Sequence, residues 1–256
     1  MSALAARTEA AAGVLEAVDV TRRFGGVQAL KGVSLRLDEG RIVGLIGPNG
    51  SGKTTLLNCI GGAYPPTSGT IRLNGVEISR RRGHVVARRG VIRTFQNIRL
   101  FADLTAAQNV EVGALAAGRV ARRNSPAHAL EVLDRLGIAA LADRYAGTLS
   151  YGDQRRVEIA RALAASPRFL LLDEPAAGMN DAESLILRES IERIRSEREC
   201  GILVVEHDLH LIMQLCDEIY VLNEGLVISH GTPAEVRWDP AVIAAYIGEE
   251  ATGGDE

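Results

Sequence analysis

Apolar residues change their spacing several times along the chain, and each change predicts a different element. From Val14 to Val43 they fall into short runs, first Leu15, Val18 and Val20, then Val33, Leu35 and Leu37 alternating with polar neighbours before Gly40. Period-two alternation predicts half-buried strands, here an antiparallel edge. Ile42 to Ile46 is instead a continuous apolar run ending at Gly47, which suits a strand buried on both faces of a parallel sheet. A helix is expected from Lys53 to about Cys59. Residues Gly69 to Ile78 alternate again around Asn74-Gly75, a hairpin turn signal.

Beyond Gln96 the spacing becomes helical, through Ala106 to Ala117 and Ala127 to Leu136, before a turn region from Gly147 to Gly152 and a helix from Arg155 to Ala164. Two further apolar strands, Phe169 to Leu172 and Ile202 to Val205, flank an amphipathic stretch from Ala182 to Ile194, which is βαβ alternation around a parallel sheet. The pattern predicts a core built from residues 14–95 and 160–248, with a helical insertion over 96–159. Residues 1–13 and 249–256 are expected to be flexible extensions, the latter acidic and Gly-rich. The arginines Arg80, Arg81, Arg82, Arg88, Arg89 and Arg93 are expected on a solvated loop face.

Composition narrows the classes. The 256 residues, 46% hydrophobic, suffice for a large core without staples. Cys59, Cys200 and Cys216 lack metal-ligand or CxxC spacing, so a reducing cytosol fits better than a disulfide framework. The Ala-rich start carries Arg7 and Glu9 where a signal peptide needs an apolar run, and eighteen consecutive apolar residues occur nowhere, so a membrane role requires a partner. A formal net charge of -3 offers no global field for holding nucleic acid.

The chain has only two lysines, Lys31 and Lys53, and one of them lies in Gly47-Pro48-Asn49-Gly50-Ser51-Gly52-Lys53-Thr54, followed by Thr55. This satisfies G-x-x-x-x-G-K-[ST] between a predicted strand and a predicted helix. Glycines let backbone N–H groups wrap phosphate oxygens, Lys53 would meet the β- and γ-phosphates, and the Thr54 hydroxyl would coordinate magnesium. Downstream, Phe169-Leu-Leu-Leu-Asp173-Glu174 delivers two carboxylates at a strand end, where parallel sheets bind ligands. In a phosphate-loop scheme Asp173 holds the magnesium shell and Glu174 polarises the attacking water as general base. ATP and Mg2+ are the cofactors this pair of motifs implies.

A phosphate loop alone leaves kinases and GTPases open; no N-K-x-D guanine motif is present. Leu149-Ser150-Tyr151-Gly152-Asp153-Gln154 resembles the signature segment, usually LSGGQ, of the ABC ATPases, with Tyr151 and Asp153 as departures. The resemblance implies an α/β P-loop NTPase core of the RecA-like type, with a parallel sheet, an antiparallel β subdomain and a helical insertion. It also implies that Ser150 and Gly152 bind the partner subunit's γ-phosphate through a helix start. On the same resemblance Gln96 is the Q-loop glutamine contacting magnesium or water, His207 the switch histidine on γ-phosphate, and Phe24 the aromatic stacked on adenine. Taken singly, these three have ordinary alternatives as a polar loop residue, a strand-end histidine and a core aromatic. Asn180 replaces the usual Asp of the D-loop.

Arg93-Thr-Phe-Gln-Asn-Ile-Arg-Leu-Phe101, Ala176-Ala-Gly, Glu206-His-Asp208 and Ala245-Tyr-Ile-Gly248 look like the subunits of branched-chain amino acid importers. The implied partners are integral-membrane permease subunits, a second ATPase chain (the same or a sister) and, through the permease, an external solute-binding protein, with no nucleic acid. The implied place is peripheral, on the cytoplasmic face of the cell membrane. Lipopolysaccharide-export ATPases are a close alternative. A soluble ABC ATPase of translation or DNA repair is a more distant one, disfavoured by a single cassette without a heptad run.

Overall fold

The computed structural model describes residues 13–118, 121–196, 200–207 and 209–252. Among these, two sheets form. The antiparallel sheet joins β1 (Val14–Phe24), β2 (Val27–Asp38), β4 (Ser68–Leu73) and β5 (Val76–Glu77) in the order β2-β1-β4-β5. The larger sheet joins β3 (Ile42–Ile46), β6 (Val91–Arg93), β7 (Phe169–Asp173), β8 (Gly201–Val205), β9 (Glu218–Asn223) and β10 (Leu226–Gly231) in the order β10-β9-β3-β8-β7-β6. Within it β9-β3-β8-β7-β6 run parallel, and β10 closes the edge antiparallel to β9. The turn between β4 and β5 places Asn74 and Gly75 at φ 52 and 76, the left-handed pair that the Asn-Gly signal predicts.

Strand β3 shows why its apolar run is unbroken. Ile42 and Ile46 pack on one face with Leu170, Leu172, Ile202 and Val204, beneath the helices. Val43 and Leu45 pack on the other with Leu171, Leu203 and Val205, against the antiparallel sheet. Period-two alternation thus feeds two cores, so every position must be apolar.

Nine helices complete the described residues: α1 (Lys53–Ile60), α2 (Gly83–Arg88), α3 (Ala106–Ala117), α4 (Ser125–Arg135), α5 (Tyr151–Leu163), α6 (Asp181–Ser196), α7 (Leu209–Leu215), α8 (Pro233–Arg237) and α9 (Pro240–Thr252). Helix α3 starts at a capping box, with the Thr105 hydroxyl accepting from the Gln108 N–H and the Gln108 side chain accepting from the Thr105 N–H. No helix among the described residues is long and apolar enough to cross a membrane.

Some expectations differ from what is found. Helix α5 runs unbroken past residue 160, and Val157, Ile159 and Ala160 share one apolar cluster with sheet residues, so a division between 159 and 160 cuts a continuous element. Residues 249–252 continue α9 and do not begin a flexible tail; the remainder of that tail lies outside the described residues. The expected N-terminal extension is also outside them except for Gly13, whose N–H donates to Glu39 Oε2 at 2.8 Å. Arg93 is not on a solvated loop face: it ends β6 with its side chain 9% exposed, because two oxygen partners wait inside.

Candidate functional site

The segments singled out by sequence converge at the carboxyl ends of β3, β6, β7 and β8, where parallel sheets present loops to ligands. Gly47 leaves β3 at φ 144, and a Cβ there would lie 1.9 Å from the Leu222 carbonyl oxygen. Gly52, at φ 109, would meet the Ala29 carbonyl at 2.7 Å. Only glycine fits either place. Gly52 also caps α1 without any side-chain hydrogen bond, leaving the first-turn N–H groups for an anion. Lys53 is buried, its Nζ donating to the Gly47 and Pro48 carbonyls at 2.6 and 2.8 Å. A cleft of about 160 Å³ is lined by residues 49–55 with Ala29, Glu174 and His207.

Glu174 follows β7 in a left-handed conformation, φ 47, with its N–H donating to the Val205 carbonyl at 2.8 Å. Both its oxygens are engaged: Gln96 Nε2 donates to Oε2 at 2.7 Å, and His207 Nε2 lies 2.7 Å from Oε1. The neighbouring Glu206 is buried and receives the Ala176 N–H at 2.6 Å and the His207 N–H at 3.2 Å. It pins the loop after Glu174 to the strand end carrying His207. Burial pushes its carboxyl above the ordinary value and the Glu174 charge adds to this, while those two backbone donors oppose it.

Asp173 is buried at the end of β7. Arg93 donates to its Oδ2 at 2.6 Å and, through its other terminal nitrogen, to Asn58 Oδ1 of α1 at 2.6 Å. Asp173 Oδ1 and Ser51 Oγ are buried without a hydrogen-bond partner. Unclaimed oxygens on an acidic strand end and on the phosphate loop fit the water shell of a hard cation. No group of three or more His, Cys, Asp and Glu that could hold a metal by itself is assembled among the described residues.

Of the predicted residues outside the cleft lining, Gly47, Pro48, Gln96 and Asp173 adjoin it through the chain or a hydrogen bond, whereas Phe24, Ser150 and Gly152 stand apart. Phe24, 42% exposed, packs edge-on to Tyr64 with ring centroids 5.3 Å apart, and the Arg22 guanidinium covers both rings at 4.6 and 4.7 Å. Ser150 caps α5, its hydroxyl accepting from the Asp153 N–H at 3.2 Å. Gly152 lies against Glu183, whose Oε1 would be 2.8 Å from an added Cβ. The Asp153 carboxylate is paired with Arg156, which offsets the charge that replaces the usual glutamine.

Four residues that shape this region were not singled out as site residues by sequence: Arg93, Arg155, Glu158 and Glu206. A charged pair three residues apart inside a helix with apolar neighbours was a readable signal for Arg155 and Glu158. For Arg93 and Glu206 the signal was a charge at the end of a short apolar strand.

Comparison with known proteins agrees with this geometry. Residues 30–177 match the ABC transporter family, and residues 227–252 match the branched-chain amino acid ATP-binding cassette transporter family. The chain is 45% identical, over 92% of its length and 98% of the relative's, to the high-affinity branched-chain amino acid transport ATP-binding protein BraF of Pseudomonas aeruginosa. It is 44% identical to LivG, of the same description, from Escherichia coli K12, over 89% of this chain and 94% of that one. The lipopolysaccharide export system ATP-binding protein LptB of Escherichia coli K12 is 35% identical over 92% and 98% of the two chains. Among solved structures, the ADP conformation of an ATP-binding cassette of an ABC transporter superposes with a TM-score of 0.83 at 30% identity, covering 92% and 99% of the two chains. With fold, phosphate loop and strand-end carboxylates in agreement, the chain belongs to the ABC transporter family as one of its ATP-binding subunits.

Proposed function

We propose that the chain hydrolyses ATP to drive an importer of branched-chain amino acids or related amino acids and amides. The observation that carries this reading is Glu174 poised at the cleft mouth between Gln96 and His207. In this reading residues 47–55 would cradle the triphosphate, and Thr54, Gln96 and Asp173 would hold Mg2+, which would supply charge neutralisation. Glu174 accepts the proton of the attacking water, and His207 donates to the γ-phosphate.

Ser150 and Gly152 do not line the cleft of their own chain, which supports their acting on the nucleotide of a second ATPase subunit. A related cassette, with a TM-score of 0.76 at 28% identity, is dimeric in a post-hydrolysis state with ADP and Pi. Phe24 would turn from Tyr64 to stack on adenine. The permease partners place the chain peripherally on the cytoplasmic face of the membrane. A groove of about 430 Å³ among α2, α3 and α5, lined by Phe95 next to Gln96 in the chain, is where a permease segment would act.

Import of amino acids is favoured over lipopolysaccharide export by the match of residues 227–252 and by 45% against 35% identity. The test is Glu174→Gln. Removing a general base should slow hydrolysis by about 10²- to 10⁴-fold while ATP still binds; unchanged turnover rejects the assigned base. For the solute, the chain reconstituted with its membrane partners should show ATPase activity stimulated by a leucine-loaded binding protein. Stimulation by lipopolysaccharide instead would overturn the import reading.

A further inference from the structure

Arg155 of α5 is the largest fully buried side chain among the described residues. An isolated guanidinium there would be severely penalised, so its partners explain its presence. Nη1 donates to Glu158 Oε2 at 2.8 Å, one turn along the helix, and to the Phe95 carbonyl at 2.7 Å. Nη2 donates to the Gln96 carbonyl at 2.6 Å. The other Glu158 oxygen, Oε1, accepts the Arg99 N–H at 3.1 Å. Two side chains from one helical turn therefore hold the backbone of residues 95–99 at three points, through a planar fork and a carboxylate. The same α5 begins at Ser150, and the Gln96 side chain ends on Glu174.

We propose that Arg155 and Glu158 are a buried positioning pair that ties the Gln96 segment to the helix starting at Ser150, so that Gln96 shifts relative to Glu174 only when α5 moves. The proposal rests on Glu174 being the base. Neither residue touches nucleotide; both act through Gln96. A purely structural pair would matter only for stability, and the two roles separate experimentally. Replacing a self-contained buried ion pair by apolar residues can leave stability unchanged, but here backbone groups and Arg161 share the pair, so catalysis and stability are read separately.

The full-length double variant Arg155→Met/Glu158→Leu should keep its ATP affinity within about twofold, while its thermal midpoint falls because the Phe95 and Gln96 carbonyls, the Arg99 N–H and Arg161 lose partners. Its kcat should fall by about 10- to 100-fold, the scale of misplacing a catalytic group by an ångström. Hydrogen exchange should speed up at residues 95–99 and stay unchanged at residues 47–54. Arg155→Lys, whose single ammonium cannot bridge both carbonyls in one plane, should lower kcat at an unchanged midpoint. A stable double variant with wild-type kcat overturns the proposal. Should the double variant not fold, a wild-type kcat for Arg155→Lys overturns it and a reduced one supports it. Glu174→Gln, assayed alongside, separates the two ideas: if that variant hydrolyses normally, the base assignment fails first.

Discussion

At the scale of single residues, burial decides most of the chemistry outside the cleft. Cys59, Cys200 and Cys216 are all buried, and burial pushes the Cys59 and Cys216 thiols up to about 11 and about 12. Near pH 8 only about one Cys59 in a thousand would be thiolate. Native protein should react with iodoacetamide far more slowly than protein in denaturant, and rapid labelling without denaturant would contradict the burial. Glu206 titrates in the opposite sense to a salt-bridged carboxylate. Its folded pKa lies above the ordinary 4.5, so the folded state holds its proton longer and stability falls as pH rises through the window above 4.5. The gain in melting temperature of Glu206→Gln over wild type should therefore grow across that window; a pH-independent difference would count against it. Lys53→Ala should abolish measurable ATP binding by calorimetry, since no other lysine lines the cleft.

At the scale of elements, legibility followed the apolar pattern. Helices α3 and α6 were readable because their apolar spacing repeats, and strands β3, β7 and β8 because each is a compact apolar run. Strand β6 has three residues and only one ladder, to β7, so no periodicity could reveal it. Helix α2 hid among arginines because only Val86 of it is buried. The run from α7 to α9 was not assigned at all, although the capping box of Thr232 and Glu235 marks the start of α8. Contacts between elements were invisible for another reason, since they depend on which backbones meet. Gly113, in the middle of α3, allows α5 so close that a Cβ would lie 2.1 Å from the Arg161 carbonyl oxygen. Gly113→Ala should gain about 1 kcal/mol of helix propensity but lose more to overpacking, for a net loss of roughly 1–2 kcal/mol in denaturant unfolding. A stabilised variant would show that the helices are not in contact there.

At the scale of the whole molecule, motif order along the chain located the loops that meet at the sheet's carboxyl edge, because a parallel sheet puts those ends on one side. What the order could not show is which groups touch in a single chain. Phe24 with Tyr64, and Arg93 with Asp173, are pairings across elements distant in sequence. On the reading that Ser150 completes a neighbour's site, Glu174→Gln protein with ATP should sediment as a dimer and return to monomer with ADP. Wild-type specific activity should rise with protein concentration. Activity independent of concentration, with no ATP-induced dimer, would argue for a self-sufficient chain.

The engagement of both Glu174 oxygens has a consequence for the resting molecule. A carboxylate that receives Gln96 on one oxygen and faces His207 on the other keeps a further lone pair on each for a water, in a direction those two neighbours define. The base is thus aimed before a substrate arrives, which leaves little reorganisation to the reacting step.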